Sequence, residues 1–461
     1  MMDIKHTLSA TLAIFLIAGC SSDKPKEIQK ENKSSVAQFT KNTTNKAFSQ
    51  SFDFKTNEEI DMHILGKSFF RIPWVEAPSA TTARDGLGPL FSANTCIHCH
   101  PNNGAGLAID KSGDITRSLV MRLSISNTKN INNNLIATKG FIPEPTYGGQ
   151  LSLNGTSDVK FEGNINVSYK TTDAKYADGE KYSLQTPTYT LSKLQYGPLH
   201  KDANIAGHIA LALIGLGAIE SIDANDILAN EDINDKDKDS ISGKANWVYN
   251  PETNITELGR FTWKAAAASV VHQSANAAHN DMGLSNPLYP KHNCSDAQID
   301  CQKALEGRHD FDLPKERLDA IAYYLKTLKI PSQRKSKNFK KGEKIFNSLG
   351  CVKCHVESFE TAEGVKIKPY SDFLLHDMGD ALSDGHTIFK AKANEFRTPP
   401  LWGLGLYKKV SGEVALLHDG RARSVEEAIL WHGGEAKKHS DAFKELSHKD
   451  REYLVEFLNA I

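Results

Sequence analysis

Two five-residue stretches decide the fold: Cys96-Ile97-His98-Cys99-His100 and Cys351-Val352-Lys353-Cys354-His355. Both have the spacing Cys-x-x-Cys-His, which is the attachment pattern of c-type haem. Thiols separated by two residues can bond the two vinyl groups of one haem, and the histidine that follows reaches the iron as its proximal ligand. A redox dithiol or half of a zinc site is the alternative, but the sequence has no third Cys-x-x-Cys to complete it. We therefore predict two covalently bound haems.

The start of the chain resembles a bacterial lipoprotein leader. An apolar stretch from Leu8 to Ile17 is too short to span a bilayer and follows a short basic segment, as in an export signal. Cys20 would be lipidated after a leader of residues 1–19; an ordinary signal with cleavage nearby is the alternative. Residues 20–55 are mostly polar and predict a flexible tether. The resemblance implies an outer-membrane lipoprotein that faces the periplasm of a Gram-negative bacterium.

Export also bears on the two remaining cysteines, Cys294 and Cys301. In an oxidising compartment we expect them to form one local disulfide, with two free thiols as the alternative.

The rest of the composition is that of an ordinary globular protein: 55 Lys and Arg residues balance 56 Asp and Glu residues, for a net charge of -1. Without a basic excess, no nucleic-acid partner is expected.

An internal repeat surrounds the two cysteine motifs. Phe91 lies five residues before Cys96, and Phe346 lies five residues before Cys351, each within a segment that contains glycine. Each repeat also ends in an apolar pattern with helical spacing, at 318–328 and at 454–461.

The layout of first helix, haem motif and closing helix predicts a mainly α fold of two cytochrome c-like haem domains. We place the first domain at 56–332 and the second at 333–461. The first is too long for a bare haem domain, so residues of about 105–310 are predicted to be a large mixed α/β insertion. Within it, alternation over 164–169 predicts a strand, and the apolar run 205–220 predicts a buried helix.

Three aspartates in the insertion, Asp235, Asp237 and Asp239, occupy alternate positions and resemble the start of a calcium loop. Ser240 stands where such a loop has glycine, and Asn246 where it has glutamate. A solvated acidic turn is the alternative to bound calcium.

Several long motifs between residues 60 and 461 belong together. They are Phe70-Arg71-Ile72-Pro73-Trp74, Gly86-Leu87-Gly88-Pro89-Leu90-Phe91, Gly259-Arg260-Phe261-Thr262-Trp263-Lys264-Ala265, Leu374-Leu375-His376-Asp377-Met378-Gly379, Arg397-Thr398-Pro399-Pro400-Leu401-Trp402-Gly403, Leu417-His418-Asp419-Gly420-Arg421-Ala422-Arg423 and Trp431-His432-Gly433-Gly434-Glu435-Ala436. They resemble the bacterial di-haem oxidoreductases, a family of peroxidase-like proteins, some of which are called thiol oxidoreductases. The C-terminal part is also similar to the di-haem cytochrome c peroxidases and MauG-type enzymes.

The resemblance implies the sixth ligand of the second iron. Its position falls on His432, where peroxidases have Met and MauG-type enzymes have Tyr. His418 and His376 are the alternatives, followed by Met378 or no ligand. Two imidazoles give a haem of low potential, whereas a thioether raises the potential.

The resemblance also implies a division of labour in which the second haem relays electrons and the first reacts with hydrogen peroxide. The insertion would then supply the acid/base groups of the pocket, with His272, Gln273, His279 and its neighbours Asn280 and Asp281, and Glu220 as candidates. Either His272 or His279 could instead ligate the iron, and each of these residues is otherwise an ordinary satisfied polar residue. Trp263, Trp402 and Trp431 are candidates for bridging the haems, or for packing alone.

Three functions remain open at this point. The first is a periplasm-facing peroxidase-like oxidoreductase, anchored to the membrane by lipid and served by a periplasmic electron donor or acceptor protein. The second is a lipid-anchored electron-transfer cytochrome, for which His432 is favourable. The third is an oxidase of another partner, such as a protein, a thiol or a metal ion.

Overall fold

Short helices and strands alternate along the described residues, 36–125 and 133–461, of the computed structural model. The helices are α1 Asn57–Arg71, α2 Asn133–Lys139, α3 Leu216–Glu220, α4 Ala224–Leu228, α5 Val270–Met282, α6 Ile299–Gln302, α7 Lys315–Lys326, α8 Phe339–Ser348, α9 Tyr407–Ser411, α10 Val425–Leu430, α11 Lys437–Lys444 and α12 His448–Ala460. The strands are β1 Phe39–Thr40, β2 Leu90–Phe91, β3 Leu119–Ile125, β4 Asn154–Gly155, β5 Asn164–Lys175, β6 Lys181–Ser192, β7 Ala203–Ile209, β8 Trp247–Asn250, β9 Ile255–Leu258, β10 Ile330–Pro331, β11 Phe359–Glu360, β12 Lys366–Ile367, β13 Leu375–Asp377 and β14 Glu395–Arg397.

The prediction of a mainly α fold is wrong. Helices make up 29% of the chain and strands 20%. The strands pair in twos within the described residues, all antiparallel except β1 with β10. Helical spacing of apolar residues near the haem motifs led to the prediction of helices. Most of the strands are too short to show an alternation of polar and apolar residues. The predicted division at residues 332 and 333 stays a prediction.

The predicted leader and Cys20 lie outside the described residues. The predicted tether does not hold for residues 36–55, which pack onto the rest of the protein. There β1 pairs with β10, and the side chain of Phe48 is fully buried. Apolar residues spaced through this polar segment provide the contacts that a tether would lack.

The helix before the first cysteine motif, α1, packs across α7. Its start is fixed by a capping box, in which Thr56 accepts from the backbone N–H of Glu59 and the Glu59 carboxylate accepts from the Thr56 N–H. The two helices cross at Gly66, where a Cβ would lie 1.8 Å from the backbone oxygen of Ala320. One turn later Phe70 reaches the ring of His100, with a centroid distance of 6.5 Å.

The second cysteine motif has the same arrangement in α8 and α12. A Cβ on Gly342 would lie 2.1 Å from the backbone oxygen of Tyr453, and Phe346 lies 6.2 Å from the ring of His355. The internal repeat is therefore present, but its register differs from the prediction. Phe346 corresponds to Phe70 in α1, because a long loop separates α1 from the first motif, and Phe91 lies in strand β2 instead.

Two strand pairs build the region between the motifs. Strands β3 and β7 pair in register from Leu119 opposite Ile209, and β5 with β6 form a hairpin of two twelve-residue strands. The strand predicted over 164–169 is confirmed as the first half of β5. The helix predicted over 205–220 is wrong, since strand β7 precedes a short helix, α3; an apolar run alone does not separate the two.

The hairpin tip reaches the C-terminal helices. Tyr176 donates to the Glu426 carboxylate at 2.7 Å, and the guanidinium of Arg451 lies 3.8 Å over its ring. The closing helix α12 begins at a side-chain cap, in which Ser447 accepts from the backbone N–H of Asp450. No helix among the described residues has both the length and the apolar character that crossing a bilayer requires.

Candidate functional site

Each cysteine motif lies in the wall of its own cavity. Cys96, Cys99 and His100 line a first cavity of about 350 Å³, and the second motif lines a second cavity of about 200 Å³. Both motifs begin with a single 3-10 turn, which directs the two thiols and the histidine to one side. A planar group bonded through both thiols would therefore lie within each cavity.

The two motif histidines are held in the tautomer that a metal ligand needs. Nδ1 of His100 donates to the backbone oxygen of Leu211 at 2.8 Å, and Nδ1 of His355 donates to that of Tyr370 at 2.9 Å. Because a carbonyl can only accept, the hydrogen is on Nδ1 and the lone pair of Nε2 is free. Burial lowers the pKa of both histidines to about 4, so both rings are neutral at physiological pH.

The cysteines and other polar atoms also fit a buried prosthetic group. All four motif thiols are free, and burial raises the pKa of Cys96 and Cys351 to about 12. Both thiols are therefore neutral in the folded chain at physiological pH. Within the described residues, Nδ1 of His279 beside the first cavity and Nε2 of His439 beside the second are buried without a hydrogen-bond partner. Both observations fit haem in each cavity.

His432 faces His355 across the second cavity. Their ring centroids are 6.5 Å apart, and Nδ1 of His432 donates to the backbone oxygen of Ala428 at 2.7 Å, so its Nε2 is also free. A metal bonded to two opposed imidazoles at about 2 Å each separates the ring centroids by about 6 Å. The spacing and the tautomers suit two axial ligands on one iron.

The alternative ligands in the second cavity are occupied differently. Nε2 of His376 lies 2.7 Å from Asp372 and its Nδ1 lies 2.8 Å from Glu435, so neither nitrogen is free. Burial alone would lower the pKa of His376, but the Asp372 carboxylate, followed by Cys354, raises it well above its usual value. His418 instead stacks on Phe396, with ring centroids 4.2 Å apart. Met378 lines the cavity as well.

Among the residues that the structure describes, the first cavity has no matching histidine pair. Among the described residues, the ring within 6.5 Å of His100 is that of Phe70. Nδ1 of His272 accepts from the backbone N–H of Ala268 at 3.3 Å, which puts the hydrogen on Nε2 and leaves no lone pair for a metal. His279 stacks against Tyr289 at 5.1 Å.

Helix α5 instead presents amide side chains to the first cavity. Gln273, Asn276 and Asn280 line it at a spacing of three and four residues, which is one helix face. The Asn276 amide donates to the Tyr289 hydroxyl at 3.2 Å, and the Asn280 amide donates to the backbone of Asn276 at 3.0 Å. These groups can hold a small polar molecule by hydrogen bonds without carrying charge.

Glu220 does not belong to this pocket. Its carboxylate accepts from the backbone N–H of Val270 at 2.7 Å, at the start of α5, and pairs with Lys326 at 2.5 Å. The prediction that Glu220 is an acid/base group is therefore wrong: it fixes the end of the helix that carries the amides. No local pattern in the sequence reveals this, because the two contacts come from distant segments.

Two charged groups near the first thiols were only partly foreseen. Asp281, adjacent to Asn280, accepts from the Gln150 amide at 2.7 Å, and burial raises the pKa of this carboxylate. Arg122, which no pattern in the sequence singles out, lines the same cavity and acts on Asp281 to lower that pKa. The pair places a half-buried cation and anion beside the first cysteine motif.

A polar cluster between the cavities was also missed. Nε2 of His208 lies 2.8 Å from Asp384, and the ammonium of Lys264 lies 3.2 Å from the other oxygen of that carboxylate. The ring of His208 lies 5.6 Å from that of His418. The residues come from three separate strands and loops, so only the folded chain brings them together.

The two cavities share one wall. Seven residues line both of them: Ile209, Leu211, Trp263, Arg397, Pro399, Pro400 and Tyr407. The Trp263 indole is fixed by donating to the Ile209 backbone oxygen at 2.8 Å. Trp402 lines the first cavity only, and Trp431 lies under the guanidinium of Arg421 at 4.8 Å. Of the three tryptophans, Trp263 is the one placed between the sites.

The remaining predicted residues lie away from the cavities. Cys294 and Cys301 form a disulfide with their Cα atoms 5.7 Å apart. Carboxylate oxygens of Asp235, Asp237 and Asp239 come within 4.8 Å of one another, as a cation site requires. Asp239 also forms an ion pair with Lys353 of the second motif, which supplies part of the compensating charge.

Comparison with known proteins gives one strong match. The model of the family described as "Di-haem oxidoreductase, putative peroxidase" matches residues 28–461. No curated protein matches the chain. A solved structure of hydrazine synthase from Kuenenia stuttgartiensis, pressurised with 20 bar xenon, is 20% identical over 37% of this chain and 63% of that chain, with a TM-score of 0.23. This chain thus spans less than two thirds of that protein.

Proposed function

Because this chain belongs to the di-haem oxidoreductase family, we propose that it reduces hydrogen peroxide, using one haem site to react and the other to relay electrons. Both haems are covalent in this proposal, one on Cys96 and Cys99 and the other on Cys351 and Cys354. The observation that carries it is the difference between the two cavities. In the second cavity His432 opposes His355, whereas among the described residues no histidine ring is paired with His100 in this way, and helix α5 lines that first cavity with the amides of Gln273, Asn276 and Asn280.

The second cavity is suited to relay. Haem held there by Cys351, Cys354, His355 and His432 would supply one-electron transfer rather than a binding position for a substrate. Trp263 in the shared wall lies on the way to the first cavity. The relay would receive electrons from a periplasmic donor protein.

The first cavity is suited to the reaction. Haem held there by Cys96, Cys99 and His100 would supply an iron that can accept peroxide and transfer electrons to it. The chain's own part is to hold peroxide by the amides of Gln273, Asn276 and Asn280, and to exclude bulk water. Nε2–H of His272 can donate a hydrogen bond to a peroxide oxygen, while its neutral ring keeps that hydrogen. Reduction of one peroxide takes two electrons and two protons and gives two waters.

Spectroscopy of the purified holoprotein tests the proposal. EPR and visible spectra of the oxidised and half-reduced protein should show one low-spin and one high-spin iron, with only the high-spin signal changed by stoichiometric peroxide. Two low-spin signals that ignore peroxide would mean a lipid-anchored electron-transfer cytochrome. A high-spin iron that ignores peroxide would instead indicate oxidation of another partner, such as a protein, thiol or metal ion.

Two further parts of the proposal concern location and calcium. We place the protein on the outer membrane, facing the periplasm and anchored through Cys20, which mass spectrometry of the membrane fraction would test.

The cluster of Asp235, Asp237 and Asp239 is proposed to bind calcium. Calorimetric titration of the wild type against Asp237→Asn should then show one site that the variant loses.

A further inference from the structure

The helix that leads into the second cysteine motif has a basic face. Residues 333–353 carry seven basic side chains and one acidic side chain, while the whole chain has 55 basic and 56 acidic ones. Lys337, Lys340, Lys341 and Lys344 are all exposed. Their spacing of one, three and four residues puts them on the same solvent side of α8 and its start. We call these four residues the lysine stripe.

The charge of the lysine stripe is only partly compensated. Lys340 forms an exposed ion pair with Glu343 at 2.5 Å, and Lys341 lies 4.6 Å over the ring of Tyr453. Lys337 acts on Glu456, whose pKa is lowered mainly by hydrogen bonds from its neighbours. Lys344 has no ion pair within the described residues. Because exposed ion pairs contribute little free energy in water, the lysine stripe keeps a net positive electrostatic potential.

Lys353, by contrast, is outside the stripe. It lies within the motif itself and forms an ion pair with Asp239, and Asp235 and Asp237 lie close by. The loop that carries Asp235, Asp237 and Asp239 therefore neutralises the charge on one side of the motif, while the α8 side stays basic. A negatively charged partner would be attracted to the α8 side only.

The stripe also lies beside the second cavity. Phe346, on the buried side of α8, and Leu349 and Gly350, at its end, line that cavity. A protein that contacts the stripe is thus separated from the haem site by little more than one helix. Such proximity serves electron exchange, and a membrane contact would gain nothing from it.

We propose that the lysine stripe is the docking surface for an acidic electron-transfer protein that exchanges electrons with the second haem. The inference deepens the proposed function, since it rests on that haem acting as the relay. Opposite charge accelerates encounter and fixes orientation. An anionic membrane is the less favoured occupant, because residues 333–461 include no exposed large apolar side chain that could enter lipid.

Stopped-flow mixing of reduced holoprotein with oxidised plastocyanin, a copper protein with an acidic surface, tests the proposal. Each encounter moves one electron, from haem iron(II) to copper(II). We expect Lys340→Glu combined with Lys341→Glu and Lys344→Glu to slow the reaction at least about tenfold at roughly 10 mM salt. The difference should vanish near about 0.5 M salt, where the Debye length falls to a few Å.

A matched variant controls for net charge. Lys160→Glu, Lys201→Glu and Lys291→Glu change three exposed lysines elsewhere, and should leave the rate close to that of the wild type. Calorimetry with oxidised holoprotein and oxidised plastocyanin, where no electron moves, measures binding alone. The wild type and the matched variant should bind plastocyanin more tightly than the stripe variant does. Unchanged haem spectra and circular dichroism would establish that the stripe variant is folded.

The outcomes separate this proposal from the proposed function. Equal rates and affinities for the stripe variant and the matched variant would overturn the docking surface. So would loss of binding to anionic vesicles without loss of binding to plastocyanin. Peroxide reduction with ascorbate, which needs no docking, tests the proposed function alone.

Discussion

Replacing His432 by Met is expected to convert the second iron from two imidazole ligands to one imidazole and one thioether. Met is unbranched and can reach across the 6.5 Å that now separates the two rings. The thioether donates less charge to iron(III). The substitution also removes the hydrogen bond from Nδ1 to Ala428, which makes the present imidazole a stronger donor. Both effects raise the reduction potential, together by on the order of 100 mV.

A spectroelectrochemical titration of the holoprotein measures this change. A rise of on the order of 100 mV is about a fiftyfold change in a one-electron equilibrium constant, at about 59 mV per factor of ten. The other haem should keep its midpoint potential. His418→Gln is the matched control, because His418 lines the same cavity but stacks on Phe396. The reduction potentials and the low-spin spectrum of this variant should stay as in the wild type. A shift of less than about 20 mV for His432→Met, or loss of the low-spin signal in the control, would refute the ligand assignment.

Other predictions concern stability. Gly66→Ala should lower the free energy of unfolding by about 2 kcal/mol, because its Cβ meets a backbone oxygen of α7; a denaturant titration that matches the wild type would show that the crossing can relax. Changing Cys294 and Cys301 to Ser should remove about 2 kcal/mol, since the disulfide closes a loop of sequence separation 7, and reducing agent should then no longer affect the melting temperature. Burial raises the pKa of Glu162 to about 8, so the folded protein holds a proton that the unfolded chain releases near pH 4.5. Stability should therefore fall by a few kcal/mol between about pH 5 and 8. Melting curves of Glu162→Gln should lack that fall, and parallel curves for the two proteins would contradict the assignment.

The residues that carry covalent chemistry could be recognised from the sequence, because their spacing is local. The two motifs need no tertiary information, and the structure puts each in the wall of a cavity. His432 was reachable only through resemblance to a family, since nothing local separates it from His376 or His418. The structure distinguishes the three by their contacts. A backbone oxygen accepts from one nitrogen of His432, carboxylates lie next to both nitrogens of His376, and the ring of His418 stacks on Phe396.

The pocket of the first cavity shows where sequence reasoning failed. Gln273 was named as a pocket candidate and does line the cavity, but Glu220 does not, and Arg122 was not considered. A side chain's direction depends on the tertiary contacts of its helix or strand. The pairing of β3 with β7 is set by segments about eighty residues apart, and the sequence has no signal for that pairing. Long-range pairing also explains why strand content was underestimated.

The wall that the two cavities share ties the assembly of one site to that of the other. A chain that had received haem at one motif would carry a void of about 200 or 350 Å³ against residues that also shape the loaded site. By the usual penalty for unfilled space, the smaller void alone costs roughly 5 kcal/mol, a large part of the stability of a folded domain. Biogenesis should therefore be all or none. Intermediates with a single cofactor would be short-lived and prone to degradation, and cells short of haem should contain fewer complete molecules rather than many half-loaded ones.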